Sequence, residues 1–225
     1  GVWHPLGPHV QVGQVNQGLQ RLPLCPFPPV PWWSVAKSGA VRLDGLEHYP
    51  KRTFRNRFTL LQSTGPLEIT VPVERRGGRP RCQDETQRIV GEPDRKAWQA
   101  VKTAYGRAPY FAEIEDELQQ LFLCGPGTLG AWNRATMEWA SAWLGIPVPV
   151  DVTPEEYAGS EAVPLMSMVA ASPGPSQSSW PHVWQDRQAQ IGHSKLGILD
   201  LILHLGTEAG AQIKPIPQSG FQHRE

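Results

Sequence analysis

The chain has 225 residues, and its 21 Lys and Arg residues balance its 21 Asp and Glu residues, so the formal net charge is zero. This balance argues against a general binder of nucleic acid or of anionic membranes, because such proteins need a strong positive field. The length fits one large domain, and no apolar run approaches the length of about 18 residues that is typical of a membrane span.

The N-terminal segment has no basic head followed by an apolar stretch, so no signal peptide is predicted. Residues 1–20 are instead expected to form a flexible arm. The three cysteines show no CxxC spacing, which argues against a disulfide framework or a zinc knuckle. Unpaired cysteines are typical of a reducing compartment, and the predicted location is therefore the cytoplasm.

The first regular elements predicted are a strand, a short helix and a second strand. Residues 22–25 form a short apolar run, and Pro31 suits the first turn of a helix that ends near Gly39. Residues 40–44 then read as the second strand. Strands joined by a helix are expected to pair in parallel, so the chain opens with a β-α-β unit.

A β-hairpin is predicted next. Residues 53–62 are rich in β-forming side chains, residues 67–73 alternate between polar and apolar types, and residues 63–66 carry a turn signal. Residues 83–90, 148–152 and 180–187 are weaker strand candidates.

The middle of the chain predicts three helices. The first begins near Asp94 and ends before Pro109, and the second has an apolar stripe from Phe111 to Phe122. The third is capped by Thr128 and ends at Gly145.

The C-terminal part combines a long loop with a buried helix. Residues 154–179 are rich in Ala, Ser, Pro and Gly and are predicted to be a long loop, whereas residues 196–205 are apolar almost all round and predict a buried helix. The expected architecture is one α/β domain over residues 21–207, with a mixed sheet and a tail over residues 208–225.

The most informative segment for function is residues 48–57, which places four cations within seven residues. If residues 53–59 form a strand, the side chains of Thr53, Arg55, Arg57 and Thr59 share one face. Neighbouring Arg forks can bind a carboxylate or a phosphate. The alternative is a solvated strand face, and His48 is either an acid/base with Tyr49 or a structural histidine.

Two further clusters are candidates. Tyr105 and Tyr110 flank a junction between helices, where helix starts attract anions, although a packed aromatic corner is the favoured interpretation. Asp200 and His204 lie four residues apart on one helix, so the carboxylate either orients a base or simply satisfies a buried histidine. No phosphate-binding loop or metal-ligand motif is present in the sequence, and no metal site is predicted.

Four blocks of the sequence resemble the WbqC-like protein family. They are LPLCPFPPVPWW at 22–33, HYPKRTFRNR at 48–57 with ITVPV at 69–73, AYGRAPYF at 104–111, and WQDR at 184–187 with GILDLI at 197–202. The blocks occur in the same order as in the family.

The resemblance implies a bacterial protein associated with O-antigen or other surface-polysaccharide genes. For one branch of the family it implies transfer of an aminoacyl group (glycine) to a sugar amine. It also implies that the motif residues of the 48–57 block line a site. This sequence departs from the family pattern in the segment 159–179 and at Lys195 and His204, which implies a different substrate.

The leading hypothesis is therefore a cytoplasmic transferase that acts on a small sugar-derived or amino-acid-derived precursor of surface polysaccharide, with no nucleic-acid partner and with the cofactor unknown. The candidate catalytic residues are His48, Tyr49 and Asp200, and the candidate anion- or substrate-binding residues are Lys51, Arg52, Arg55, Asn56, Arg57, Tyr105, Tyr110, Asp186 and Arg187.

Two other functions remain open. The first is a non-catalytic interaction protein that uses its nine Trp residues and the 154–179 loop as a partner surface. Exposed Trp residues would favour this function, and buried ones the enzyme. The second is a nucleotidyltransferase-like enzyme, which the missing His-x-Gly-His motif disfavours.

Overall fold

A computed structural model describes residues 19–39, 41–49, 53–74, 86–171, 180–183 and 195–216. In these ranges the helices are α1 (Val30–Ala36), α2 (Glu92–Tyr105), α3 (Phe111–Leu123), α4 (Leu129–Leu144), α5 (Pro154–Ala158), α6 (Leu165–Ala171), α7 (Ile198–Leu205) and α8 (Ala209–Gln212). The strands are β1 (Gln20–Pro23), β2 (Val41–Asp44), β3 (Arg57–Gln62), β4 (Gly65–Thr70) and β5 (Glu161–Ala162). This mixed α/β architecture confirms the predicted fold class.

The opening β-α-β unit is also confirmed. Strands β1 and β2 pair in parallel with Leu22 opposite Leu43, and α1 connects them. Pro31 lies in the first turn of α1, where its missing N–H removes no helical hydrogen bond. Strand β5 adds to the other edge of β1, again in parallel.

The hairpin forms with a tighter turn than predicted. Strands β3 and β4 pair antiparallel with Thr59 opposite Glu68, and only Ser63 and Thr64 separate them. Gly65 begins β4 with a φ of 117°, which favours glycine.

The residues just before β3 differ from the prediction. Phe54–Asn56 form a turn of 3₁₀ helix rather than strand, because the Thr53 hydroxyl accepts a hydrogen bond from the Arg55 amide at 3.4 Å. The expectation that Thr53 and Arg55 share a strand face with Arg57 and Thr59 is therefore wrong.

The helical middle follows the sequence signals closely. Thr128 caps α4 by accepting a hydrogen bond from the Ala131 amide, and Gly145 ends this helix in the left-handed conformation. An aromatic cluster fills the core between the helices and the hairpin. Its central ring is Phe27, whose centroid lies 5.1 Å from that of Phe58 and 5.6 Å from that of Phe122.

The C-terminal part contains more regular structure than predicted. Residues 154–171, expected to be loop, hold α5, β5 and α6, while residues 172–179 lie outside the described part of the chain. The predicted tail starts at residue 208, yet Ala209 and Ile213 are buried in the core.

Helix α7 is buried as predicted, with every residue from Ile198 to His204 inaccessible or nearly so. The weaker strand candidates form isolated bridges at Arg88 and Asp151 in place of strands. Residues 180–183 are not strand, and residues 184–187 lie outside the described ranges. Within those ranges, no helix has both the length and the apolar character needed to cross a bilayer.

Candidate functional site

The start of the 48–57 block leads from β2 to the hairpin. His48 is exposed, and Tyr49 is half-buried against the hydrophobic core. Lys51 and Arg52 lie outside the described residues. Two of the predicted site residues are thus placed in the segment that joins β2 to the hairpin, and two are not placed.

Arg55 and Asn56 hold the fold together in this region. The Arg55 guanidinium binds both oxygens of Glu47, at 2.7 Å and 2.8 Å, and both side chains are 17% exposed. The Asn56 amide donates to the Val71 carbonyl at 3.0 Å. Because the Arg55 fork already grips a carboxylate, an added anion would have to compete with Glu47.

Arg57 has a different environment from its neighbours. It is the first residue of β3, and its Nη1 lies 2.5 Å from Glu68 Oε1 across the hairpin. Its Nε is inaccessible and has no hydrogen-bond partner among the described residues. A buried N–H without a partner costs about 1–3 kcal/mol, and an acceptor in solution reaches this inaccessible atom only if the Arg57 side chain moves.

A groove of about 260 Å³ lies beside Arg57. It is lined by Thr53, Phe54, Arg57, Thr59, Glu68, Met166, Val169 and Lys195. The hairpin supplies the polar side and α6 the apolar side. The Gly197 amide donates to the Thr59 carbonyl at 2.9 Å, which holds the start of α7, and with it Lys195, next to β3.

A smaller recess continues from the groove toward Cys25 and shares Arg57, Thr59 and Lys195 with it. Burial raises the pKa of the Cys25 thiol to about 12. The thiol therefore stays protonated at neutral pH, and Cys25 does not fit the role of a nucleophile.

A second polar cluster is built around Asp200, in the first turn of α7. Its carboxylate is inaccessible and accepts hydrogen bonds from the Tyr105 hydroxyl at 2.9 Å and the Trp180 indole at 3.1 Å. Nε2 of His182 lies 2.6 Å from the same carboxylate. The cluster therefore joins α2, α7 and the segment 180–183 inside the protein.

His204 completes this cluster from the next turn of α7. Its Nδ1 is 2.7 Å from the Asp200 carbonyl oxygen, which can only accept, and its Nε2 accepts from the Val183 amide at 3.2 Å. The ring is therefore neutral with its proton on Nδ1. Burial lowers the pKa of His204, the nearby Asp200 carboxylate opposes this shift, and His182 adds to it.

Three side chains around Asp200 are close enough together to be considered as metal ligands. His182, Asp200 and His204 offer ligand atoms within 4.8 Å of one another. A metal needs the nitrogen lone pairs, but Nδ1 of His204 carries the proton and its Nε2 lone pair is taken by Val183. These contacts favour a hydrogen-bonded network.

The groove and the Asp200 cluster both adjoin β3 and the start of α7, since Thr59 binds Gly197 and the Leu61 amide donates to the Tyr105 hydroxyl. The chain matches the model of the WbqC-like protein family over residues 38–170, which include β3 but not α7. The chain belongs to the WbqC-like protein family. The match includes the hairpin, the helical middle and all of α6 except its last residue.

One curated relative matches this WbqC-like chain significantly. It is an uncharacterised protein of Mycobacterium tuberculosis, 38% identical over 100 residues, which are 44% of this chain and 43% of the relative. The WbqC-like chain therefore spans less than half the length of that protein in the match. No solved structure matches significantly.

The remaining predicted site residues of the WbqC-like chain have different placements. Tyr105 belongs to the Asp200 network, where burial and the Asp200 carboxylate raise its pKa well above the usual value. Tyr110 is half-buried and packs against Gly206. Asp186 and Arg187 lie outside the described residues.

The structure brings in several residues that the sequence reasoning missed. In the groove these are Glu68, Met166, Val169 and Lys195, and in the buried network Trp180 and His182. The Arg57–Glu68 contact could have been predicted from the hairpin pattern, because the register of the two strands determines which residues form diagonal cross-strand pairs. The others carry no local signal.

Proposed function

We propose that this WbqC-like protein is a transferase that binds a small anionic precursor in the groove beside Arg57. The observation that carries the proposal is the partly exposed Arg57 side chain, which lines the groove, pairs with Glu68 through Nη1 and leaves its Nε without a partner in the described part of the chain. Guanidinium N–H groups of this kind bind carboxylates and phosphates with charge-assisted hydrogen bonds.

The charges around the groove support an anionic ligand. Arg57 and Lys195 contribute two formal positive charges, and Glu68 contributes one negative charge. The Arg57–Glu68 pair is 28% and 53% exposed, and pairs as accessible as this contribute about 0.2–1 kcal/mol. A ligand that weakens this ion pair by sharing Arg57 with Glu68 therefore gives up little binding free energy.

We keep His48 and Tyr49 as the candidates for the acid/base role because they lie shortly before a groove residue in the chain. His48 and Tyr49 precede Thr53, which lines the groove, and His48 is exposed to solvent. We assign them the proton transfer, for which acid–base help is worth about 10²–10⁴ in rate. Asp200 is inaccessible and engaged by its neighbours, so we assign it a positioning role.

The proposed biological setting is the cytoplasmic synthesis of a bacterial surface polysaccharide, with aminoacyl transfer to an amino sugar as the reaction. Family membership supports this setting, and the size of the groove supports a ligand smaller than a nucleotide sugar, since drug-sized sites occupy about 300–1,000 Å³.

The alternative of a Trp-rich interaction protein receives less support. Trp32, Trp33, Trp98, Trp132 and Trp180 are buried. Trp139 and Trp143 are half-buried, and both of their indoles donate to Glu117. In the described ranges, the Trp residues therefore serve mainly as core.

A thermal-shift screen of the full chain tests the proposal. The panel contains amino acids, aminoacyl adenylate analogues, nucleotide sugars and inorganic phosphate. A ligand at 100 times its Kd adds about 2.7 kcal/mol of stability, and this gain should vanish in Arg57→Gln.

The matched control is Arg134→Gln. Arg134 lies 2.6 Å from Asp151, and the two side chains are 33% and 52% exposed, nearly as in the Arg57–Glu68 pair. The control should keep the ligand-induced shift. A screen without any stabilising anion, or a shift that survives in Arg57→Gln, would remove the groove as the substrate site.

A further inference from the structure

We infer that the groove binds a short-chain aliphatic carboxylate, with the carboxylate on Arg57 and the alkyl chain along α6. This inference rests on the proposed function, because it names the chemical class of the ligand in the same groove. It is carried by the arrangement of hydrogen-bond donors, the net charge and the apolar wall.

The edge of the Arg57 guanidinium that no described residue occupies determines the shape of the anion. Glu68 occupies Nη1, so the edge formed by Nε and Nη2 faces away from that pair. Two parallel N–H groups at this spacing match the two oxygens of a carboxylate. Nε has no partner among the described residues and is inaccessible, so the carboxylate satisfies this unused donor after a small movement of the Arg57 side chain toward the groove.

The net charge of the groove favours a monoanion. Arg57, Lys195 and Glu68 sum to one positive charge, which a carboxylate neutralises. A phosphate monoester carries nearly two negative charges above pH 7 and would place the second one close to Glu68. The pair of cations thus selects for an anion, and the carboxylate of Glu68 selects against a dianion.

The opposite wall favours an alkyl group. Met166 and Val169 of α6 and Phe54 of the 3₁₀ turn are the apolar residues that line the groove. Met166 is 60% exposed, which is unusual for a large apolar side chain, and a ligand that covers it gains hydrophobic free energy. Polar ligands of the same charge leave this surface in contact with water.

The experiment measures binding to the full chain by calorimetry with acetate, butanoate and hexanoate. Each added methylene that becomes buried should tighten binding about fourfold. Hexylamine and hexanamide, which lack the negative charge, should not bind measurably. Hexyl phosphate at pH 8 should bind more weakly than hexanoate.

Two variants and two controls locate the ligand. Arg57→Gln should weaken hexanoate binding about 10- to 100-fold, whereas Arg134→Gln should not change it. Met166→Ser should weaken hexanoate several-fold and leave acetate unchanged. Val150→Ser is its control, since Val150 is 66% exposed and does not line the groove.

The outcomes separate this inference from the proposed function. If acetate and hexanoate bind equally, or if hexyl phosphate binds more tightly than hexanoate, the aliphatic carboxylate class is wrong while the anion site on Arg57 stands. If anions bind with the same affinity to Arg57→Gln as to the wild type, both proposals fail.

Discussion

The Tyr105 hydroxyl donates a hydrogen bond of 2.9 Å to the Asp200 carboxylate, although 95 residues separate the two in the chain. The same hydroxyl accepts from the Leu61 amide at 3.0 Å. One phenol thus joins α2, α7 and β3 in the interior, close to the elements that form the groove.

Removing this hydroxyl should destabilise the protein. We expect Tyr105→Phe to lower the free energy of unfolding by about 2 kcal/mol, because both the Leu61 amide and the Asp200 carboxylate lose a buried partner. Urea unfolding followed by Trp fluorescence measures the change. Asp200→Asn should cost more, since its carboxylate also contacts the side chains of Trp180 and His182.

The control for Tyr105→Phe is Tyr157→Phe. Tyr157 is half-buried beneath the Arg21 guanidinium, and its hydroxyl has no hydrogen bond within the described residues. We expect a change below about 0.5 kcal/mol. Equal effects of the two substitutions would show that the Tyr105 hydroxyl adds nothing to the stability of the network.

Stability should fall on acidification because of His204. Its pKa in the folded state lies below the unfolded value of 6.5. Below pH 6.5 the unfolded chain therefore binds a proton that the folded chain does not bind. The free energy of unfolding should drop as the pH falls from about 6.5 toward the folded pKa and level off below it.

The measurement is the difference in unfolding free energy between wild type and His204→Gln as a function of pH. The variant lacks the titrating ring, so its unfolding free energy should depend less on pH than that of the wild type. The contributions of other titrating groups cancel in the difference between the two proteins. The groups that face His204 are Asp200, His182 and Tyr105. If this difference stays constant from pH 7 down to the lowest pH at which the protein is folded, the assignment of a neutral His204 ring is wrong.

Arg55 provides a direct test of structure against binding. Because its fork is engaged by Glu47, we expect Arg55→Ala to lower the free energy of unfolding by about 2 kcal/mol. A double-mutant cycle with Glu47→Ala should give a coupling energy above about 1 kcal/mol.

An exposed ion pair serves as the reference for this cycle. Lys96 and Glu92 are 75% and 69% exposed, and Lys96→Ala should change stability by less than about 0.5 kcal/mol. If Arg55→Ala instead leaves stability unchanged and abolishes ligand binding, Arg55 belongs to the substrate site, as its position in the 48–57 block predicts.

Gly206 should be intolerant of a side chain. It has a φ of 54°, and a Cβ placed there would lie 2.4 Å from Cε1 of Tyr110. We expect Gly206→Ala to cost at least about 2 kcal/mol, from backbone strain and the collision with the ring. Thermal unfolding checks this value.

Gly145→Ala is the comparison, because Gly145 has a φ of 63° but open space around its Cα. It should cost about 1 kcal/mol from backbone strain. Tyr110→Ala combined with Gly206→Ala should recover part of the loss. Without such recovery, the contact with Tyr110 would not be the cause.

Much of the fold could be predicted from local sequence signals. Pro31 lies in the first turn of α1, Thr128 and Gly145 bracket α4, and the apolar stripe of α3 has helical spacing. Capping, turn chemistry and periodicity act over a few residues. They can therefore be recognised in the sequence without knowledge of the long-range contacts. Arg57, as a site candidate, also came from such a local cluster.

The groove and the Asp200 network depended on contacts between distant segments. The groove needs β3, α6 and Lys195, and the network needs Tyr105, His182 and Asp200 to meet. No hydrophobic periodicity or motif near His182 or Met166 indicates these long-range contacts. They arise because the apolar faces of different elements pack into one core. The 3₁₀ turn at Phe54–Asn56 was missed for a related reason, since Arg55 and Asn56 are held by Glu47 and Val71, and the β-propensity of the segment does not indicate these contacts.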